Sequence, residues 1–348
     1  MRWGGDLRRH YVFLELARRT RARAVDGWDP RQIRQRLLRP RRHLWTRPAR
    51  VASAEFLRKE ALDVVLARGI PAVLDFHDDP GLQADALGLR GDSIETGESR
   101  VLRDTNVAAF RWLTAPSAAF ASYAGLDLSR VIVAPNGTDT SVVREGPWPQ
   151  EPVVGLVSGA APGRGIETLI EAVRLVRSDV PHVRLLLWLA ATGVAGQRYL
   201  DTLRTTIAGD DWIDIGGAPY EEMGAQLARA SVLVLPTPAH PYWDSVAPVK
   251  LFDCMAAGRP IVTSPRTEPA RIVELAHSGI VARGDAAGDL AEGIAQLLGD
   301  ASASRNLGAN GRSFVVAEHD WTTISARVAD ALLDRRRYHP LFGLARGR

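Results

Sequence analysis

The chain is short of the residues that would tie it to several protein classes. One cysteine, Cys254, occurs in 348 residues. That excludes an intramolecular disulfide framework and a cysteine-built zinc site. The residue reads instead as a small buried apolar position on its helix. No apolar run reaches the ~18–20 residues that span a bilayer. The opening MRWGGDLRRHYVF lacks the apolar stretch of a secretory signal. Lysine is nearly absent: Lys59 and Lys250 stand against 42 arginines. An arginine-preferring coding sequence explains that bias and makes Lys250 conspicuous.

What remains is globular. Hydrophobic residues make up 46% and charged residues 24%, which excludes a disordered or fibrous chain. The length suits two domains. The net charge of +4 is uneven: residues 1–50 carry 15 Arg and four acids, a local +11, leaving −7 elsewhere. The arginines are not interleaved with stacking aromatics and no reader motif is present, so nucleic acid is not an expected partner. A cytoplasmic enzyme is expected, with peripheral attachment to the inner face of the membrane as an option.

Short apolar runs alternate with longer amphipathic segments, which predicts βαβ units and parallel sheets. Strands are expected at 22–27, 71–77, 112–117, 131–136, 153–159, 183–190, 212–217, 231–237, 259–264 and 279–283. Helices are expected at 6–19, 29–38, 53–67, 97–110, 117–124, 165–179, 194–208, 220–230, 249–258 and 287–300, with two more to about residue 335. The segment REGPWPQEP, 144–152, suits a linker. Domains are therefore expected at 1–145 and 151–325, with a crossing helix and basic tail at 326–348. Ligands of such sheets bind at the carboxyl ends of the strands.

Two segments of the second half carry chemistry. In VVGLVSGAAPGRGIETLIEAV (153–173) a strand runs through a small-residue loop into a helix. Gly159, Gly163 and Gly165 allow close backbone approach. The helix start is a ready anion site, and Arg164 adds a cation. The same pattern also describes an ordinary tight turn. In LPTPAHPYWDSVAPVKLFDCMAAGRPIVTS (235–264), Pro248 opens a helix, Lys250 lies in its first turn, and Asp253 follows on the same face. A first-turn lysine opposes the helix dipole unless an anion neutralises it. Tyr242 and Trp243 are candidates for stacking on a ligand. Glu268 fits either donor contact or a helix cap. Trp112, Trp188 and Trp212 read as core.

These segments resemble the nucleotide-binding domain of GT-B glycosyltransferases of the retaining family 4 type. PVKLFDCMAAGRPIV is the specific part. TAPSAAFASYAGLDLSRVIVAPNGTDT (114–140) resembles the close of that family's N-terminal domain, and Trp321 the tryptophan opening its last helix. The resemblance covers about residues 70–335. It implies an α/β fold of two Rossmann-like, doubly wound domains facing a central cleft, with the last helix crossing back. It also implies a nucleotide diphosphate-sugar as co-substrate and no required metal or other cofactor.

Carried over residue by residue, the ribose-binding carboxylate falls on Asp253 and the sugar-contacting Glu falls on Ser245. The adjacent Asp244 is a candidate substitute. The phosphate-binding Arg and Lys fall on Gly159 and Arg164, with Lys250 placed to compensate. In PAVLDFHDDPGL (71–82), His77 resembles the histidine beside the donor sugar. Asp78 and Asp79 suit either the acceptor side or the cap of a following helix. Gly4 and Gly5 resemble the family's glycine pair after its first strand. Only three residues precede them, so the natural start is expected upstream and two strand edges are expected to be left open in the sheet.

Catalysis is then expected from His77, Arg164 and Lys250. The acceptor is undetermined: a glycan, a small molecule or a lipid-linked molecule. The basic amphipathic stretch 29–50, with Leu37, Leu38, Leu44 and Trp45, suits either an anionic membrane surface or a solvated helix face. Two alternatives stand beside transfer: a nucleotide-sugar epimerase or phosphorylase on the same scaffold, and a catalytically degenerate nucleotide-sugar-binding subunit.

Overall fold

A computed structural model describes residues 72–88 and 94–333, together with residues 8, 11, 12, 15, 18, 19, 23–25 and 52–54. Gly4, Gly5, the stretch 29–50 and most of the helix expected at 53–67 lie outside the described residues. Two compact units divide the chain. One takes residues 5–85, 90–135 and 321–348; the other takes 1–4, 86–89 and 136–320. Each is described by itself below.

The N-terminal unit holds five parallel strands in the order β1 (Arg23–Val25), β2 (Ala52–Ala54), β3 (Ala72–Asp75), β4 (Leu113–Ala115) and β5 (Val131–Val133). β2 was not foreseen; a helix had been expected from residue 53. It pairs on both sides, so no gap opens in the sheet among the described residues. β3 and β4 deliver Val73, Leu74, Leu113 and Ala115 to the core. Helices α1 (Pro80–Ala86), α2 (Ile94–Ala109) and α3 (Ala118–Tyr123) follow the strands. α3 starts at Ser117, whose side chain accepts from Phe120 N, a regular N-cap.

The C-terminal unit is a six-stranded parallel sheet. In chain order its strands are β6 (Val153–Gly159), β7 (Arg184–Ala190), β8 (Ile213–Gly216), β9 (Val232–Leu235), β10 (Ile261–Thr263) and β11 (Gly279–Val281). In space they lie β11-β10-β9-β6-β7-β8. The apolar runs of β6, β7, β9 and β10 are buried on both faces, as inner parallel strands require, whereas the edge strands β8 and β11 are partly exposed. Helix α4 (Ile166–Val176) packs Ile166, Leu169, Ile170 and Val173 onto the sheet. Each such side chain contributes roughly 1.5–3 kcal/mol on full burial. Trp188 and Trp212 are buried as expected, whereas Trp112 is only half-buried.

The remaining helices are α5 (Gly193–Thr206), α6 (Met223–Leu227), α7 (Pro241–Ser245), α8 (Val249–Ala256), α9 (Thr267–Leu275), α10 (Ala287–Gly299), α11 (Ala301–Phe314) and α12 (Trp321–Leu333). The single helix expected at 220–230 is instead a 3₁₀ turn, Tyr220–Glu222, leading into α6. α1, α7 and α9 were not foreseen. α12 returns to the N-terminal unit: Trp321 stacks on Tyr11, and Ser325 Oγ accepts from Glu15 N at 2.7 Å.

The division between the units falls at 135/136, ahead of the proline-rich segment. Residues 136–149 are fastened to the C-terminal unit rather than hanging as a linker. Asn136 Nδ2 donates to Ala247 O at 2.9 Å. The buried Arg259 donates to Gly146 O, Pro147 O, Ala228 O and Ala230 O, and its guanidinium lies 4.6 Å from the Trp148 ring centre. Five N–H donors on one side chain let a single arginine satisfy that many carbonyls. A second anchor comes at 319–320, where Asp320 accepts from Thr140 N and Oγ1.

Candidate functional site

The strand order of the C-terminal unit reverses between β6 and β9, which lie side by side. At such a switch point the loops leaving the two strands diverge and open a crevice at the carboxyl edge. Those loops are 159–165 and 236–248, the two segments the sequence singled out. They touch: Gly165 has φ +72°, and a Cβ there would sit 1.6 Å from Pro236 O. Only glycine fits, for both reasons. Nothing lies within 4 Å of where a Cβ on Gly159 would stand.

α4 and α8 both begin here, and neither has a side-chain cap: Gly165 and Pro248 are their N-cap residues. Their first-turn N–H groups are left for another acceptor. Arg164, between the glycines, lays its guanidinium 4.8 Å from the centre of the buried Trp243 ring. Lys250, in the first turn of α8, is half-buried and takes part in none of the ion pairs among the described residues. Burial and the neighbouring Arg164 charge push its ammonium down to about 7. Two cations thus face each other at two uncapped helix starts. An anion placed there would relieve both the repulsion and the helix ends.

The carboxylates expected beside them are turned elsewhere. Lys250 and Asp253 form no ion pair, although they share a helix. Asp253 is buried, accepts from Thr138 Oγ1 at 2.6 Å, and lies 3.5 Å from Tyr220 Oη. Burial pushes its carboxyl up to about 7. Here it ties the 136–140 segment to α8, whose Leu251 to Ala256 are all buried. Asp244 is engaged within the unit. Its Oδ1 accepts from Thr267 N at 3.2 Å, at the start of α9, and lies 3.7 Å from Arg266 Nη1. Ser245 is buried, with its hydroxyl donating to Tyr242 O at 2.8 Å.

Tyr242 and Trp243 pack edge to face and are both buried. Glu268 pairs with Arg271 at 2.9 Å. Cys254 is buried and its thiol is pushed up, which keeps it unreactive.

In the N-terminal unit β3 delivers His77, Asp78 and Asp79 beyond its carboxyl end. Asp79 takes the capping option: its Oδ1 accepts from Gly81 N at 3.0 Å and Leu82 N at 3.1 Å, and Pro80 is the first residue of α1. Asp79 Oδ2 also pairs with Arg103. Asp78 accepts from Gln83 Nε2 at 2.9 Å. His77 Nδ1 lies 3.2 Å from Asp75 Oδ2. Asp75 was missed in the sequence, although a carboxylate ending an apolar strand is itself a signal. Its partner Arg8 was missed because nothing marks one arginine among many.

Among the described residues no group of three or more His, Cys, Asp or Glu side chains is placed to hold a metal ion. Nor is any helix long and apolar enough to cross a membrane.

Comparison with known proteins agrees with this architecture. The family Glycosyl transferases group 1 matches residues 151–300, which span the crevice and both helix starts. The chain carries a group 1 glycosyl transferase domain. A GDP-mannose-dependent alpha-(1-6)-phosphatidylinositol monomannoside mannosyltransferase of Mycobacterium tuberculosis is 28% identical over 189 residues, 53% of this chain and 48% of that one. The Mycolicibacterium smegmatis protein of the same name is 27% identical over 70% of this chain and 63% of its own. The chain thus spans about half the length of the first of these relatives.

Among solved structures, the Anabaena Alr3699/HepE complex with UDP-glucose has a TM-score of 0.64 at 20% identity, covering 81% of this chain and 78% of that one. A glycosyltransferase from Rickettsia africae reaches 0.67 at 10% identity, covering 95% and 96%. The fold of this chain is GT-B.

Proposed function

We propose that the protein is a glycosyltransferase that moves a sugar from a nucleotide diphosphate-sugar to an acceptor hydroxyl, with retention at the anomeric carbon. The observation that carries this reading is the pairing of Arg164 with Lys250 at the uncapped starts of α4 and α8. A diphosphate bound there would face both cations and the first-turn N–H groups of both helices. As the sugar departs, negative charge grows on the diphosphate, and fixed cations and amide dipoles stabilise it without reorganising. Holding donor and acceptor together supplies the rest of the rate enhancement.

GDP-mannose is the first donor to test, because two relatives similar in sequence are named for it. A UDP-sugar is the second, since the Anabaena neighbour was solved with UDP-glucose. A phosphatidylinositol-linked mannoside is the first acceptor class, supported by the same relatives' names and by the arginine-rich stretch 29–50. Such an acceptor would place the protein at a membrane surface and in cell-envelope synthesis. The test is nucleotide release from GDP-mannose, UDP-glucose and UDP-mannose, with and without phosphatidylinositol monomannoside in vesicles. Acceptor-dependent release of one nucleotide is expected. Release without acceptor, at the same rate, would point to a hydrolase or phosphorylase instead.

A second reading, a nucleotide-binding subunit without turnover, is favoured by one observation: both Asp244 and Ser245 are engaged inside the unit. It predicts nucleotide binding with no acceptor-dependent release from any donor.

A further inference from the structure

We propose that Asp75 is the positioning residue for His77, holding the imidazole with its Nδ1 protonated so that Nε2 is left as the proton-accepting nitrogen. The role of that nitrogen toward a donor or acceptor hydroxyl rests on the glycosyltransferase reading above.

β3 is apolar until its last residue, where Asp75 is 4% exposed. A carboxylate at such a site costs several kcal/mol unless it is paired and hydrogen-bonded. It is both. Arg8 Nη2 donates to Oδ1 at 3.0 Å and Nε to Oδ2 at 3.3 Å. Thr114 Oγ1, from β4, donates to Oδ1 at 2.7 Å. His77 Nδ1 lies 3.2 Å from Oδ2, an ion-pair contact rather than an aligned hydrogen bond. Residues 75 and 77 lie on one side of extended backbone, since side chains alternate.

The charge state follows. Arg8 and His77 beside it hold the Asp75 carboxyl well below the usual carboxylate range, in spite of its burial. An ionised carboxylate can only accept hydrogen bonds. A ring nitrogen 3.2 Å from it is favoured as N–H, so Nδ1 carries the proton whenever the ring is neutral.

Neutralising Arg8 alone would not need the imidazole. Arg8 is itself immobilised by Ala134 O at 2.6 Å and Pro135 O at 3.2 Å. It thus fixes the carboxylate, and the carboxylate fixes the ring. His77 remains partly exposed, with 13% of its side chain accessible.

The test uses the full chain labelled with [15N]histidine. Long-range proton–nitrogen spectra distinguish Nδ1–H from Nε2–H rings, and His77→Gln identifies its signals among the eight histidines. We expect Nδ1–H for His77 at neutral pH. In Asp75→Asn, whose amide can donate to Nδ1, the population moves to Nε2–H. Thr114→Val keeps the carboxylate and keeps the wild-type tautomer. If Asp75→Asn fails to fold, the wild-type spectrum decides alone. An Nε2–H ring in the wild type overturns the proposal. So does a tautomer that Asp75→Asn, once folded, leaves unchanged.

With turnover in hand, Asp75→Asn should lower kcat by at least about tenfold at nearly constant donor KM, since the cost is a wrong tautomer. If no nucleotide binds the protein at all, the glycosyltransferase reading falls, while the tautomer result stands by itself.

Discussion

Each unit gathers charge at the carboxyl end of its sheet, but in opposite ways. In the N-terminal unit Arg8, Asp75, Thr114 and His77 close a compensated network, with every charge facing an opposite charge or a dipole. In the C-terminal unit Lys250 faces Arg164, and the nearby carboxylates are committed to Thr138, Arg266 and the α9 backbone. The first arrangement is complete in itself and positions a ring. The second sets two cations side by side at two uncapped helix starts, the arrangement proposed above as a seat for an anion.

The largest expected effect comes from Gly165→Ala. A Cβ there overlaps the Pro236 carbonyl and must adopt φ +72°, which alone costs roughly 1–2 kcal/mol. Thermal denaturation should show a C-terminal unit that melts far lower or does not fold, and nucleotide binding should vanish with it. Second is Asp75→Ala. It removes the carboxylate that the buried Arg8 grips from two nitrogens, at a cost of about 3–5 kcal/mol; chemical denaturation measures it. The corresponding change in the other unit should behave in the opposite sense. Lys250→Met removes a repulsion with Arg164, so the ligand-free protein should melt no lower than wild type, whereas nucleotide affinity should drop.

The titrations give a third contrast. Lys250 is held down at about 7 from its usual 10.5. Between those values the unfolded chain binds the extra proton, so this group raises stability as pH climbs from 7 toward 10. Asp253 is held up at about 7 from 3.8. There the folded chain binds the extra proton, so its contribution is present at low pH and is lost as pH rises from 4 to 7. The two together predict a dip in ligand-free stability near pH 7. Lys250→Met should remove the alkaline side of that dip, and Asp253→Asn the acidic side. Last and smallest, Asp244→Ala should cost about 0.5–2 kcal/mol through the lost α9 cap and leave nucleotide affinity unchanged. A large loss of affinity would return Asp244 to the binding site.

The sheets were readable from apolar runs because parallel strands buried on both faces write themselves as continuous hydrophobic segments. β6 coincides with its expectation residue for residue. β2, of three residues, carries too little pattern to be seen. α7 and α9 are set by Pro241, His240 and Asp244 acting at their ends rather than by periodicity.

At the site, the glycine loop, Arg164 and Lys250 were visible because each breaks a local rule. The direction in which Asp244, Ser245 and Asp253 turn was not visible. For the two carboxylates it depends on Thr138, Tyr220 and Arg266, which lie 22 or more positions away from the groups they hold. Arg259, fastening the segment that looked like a linker, was hidden for the same reason.

The central claim is that Arg164 and Lys250 form a seat for a diphosphate. Calorimetric titration of GDP and UDP into wild type and Lys250→Met tests it most directly, with circular dichroism confirming that both are folded. One of the nucleotides is expected to bind the wild type, and to bind the variant at least about tenfold, or ~1.4 kcal/mol, more weakly. Equal affinity for both proteins, or no binding of either nucleotide to a folded wild type, would contradict it.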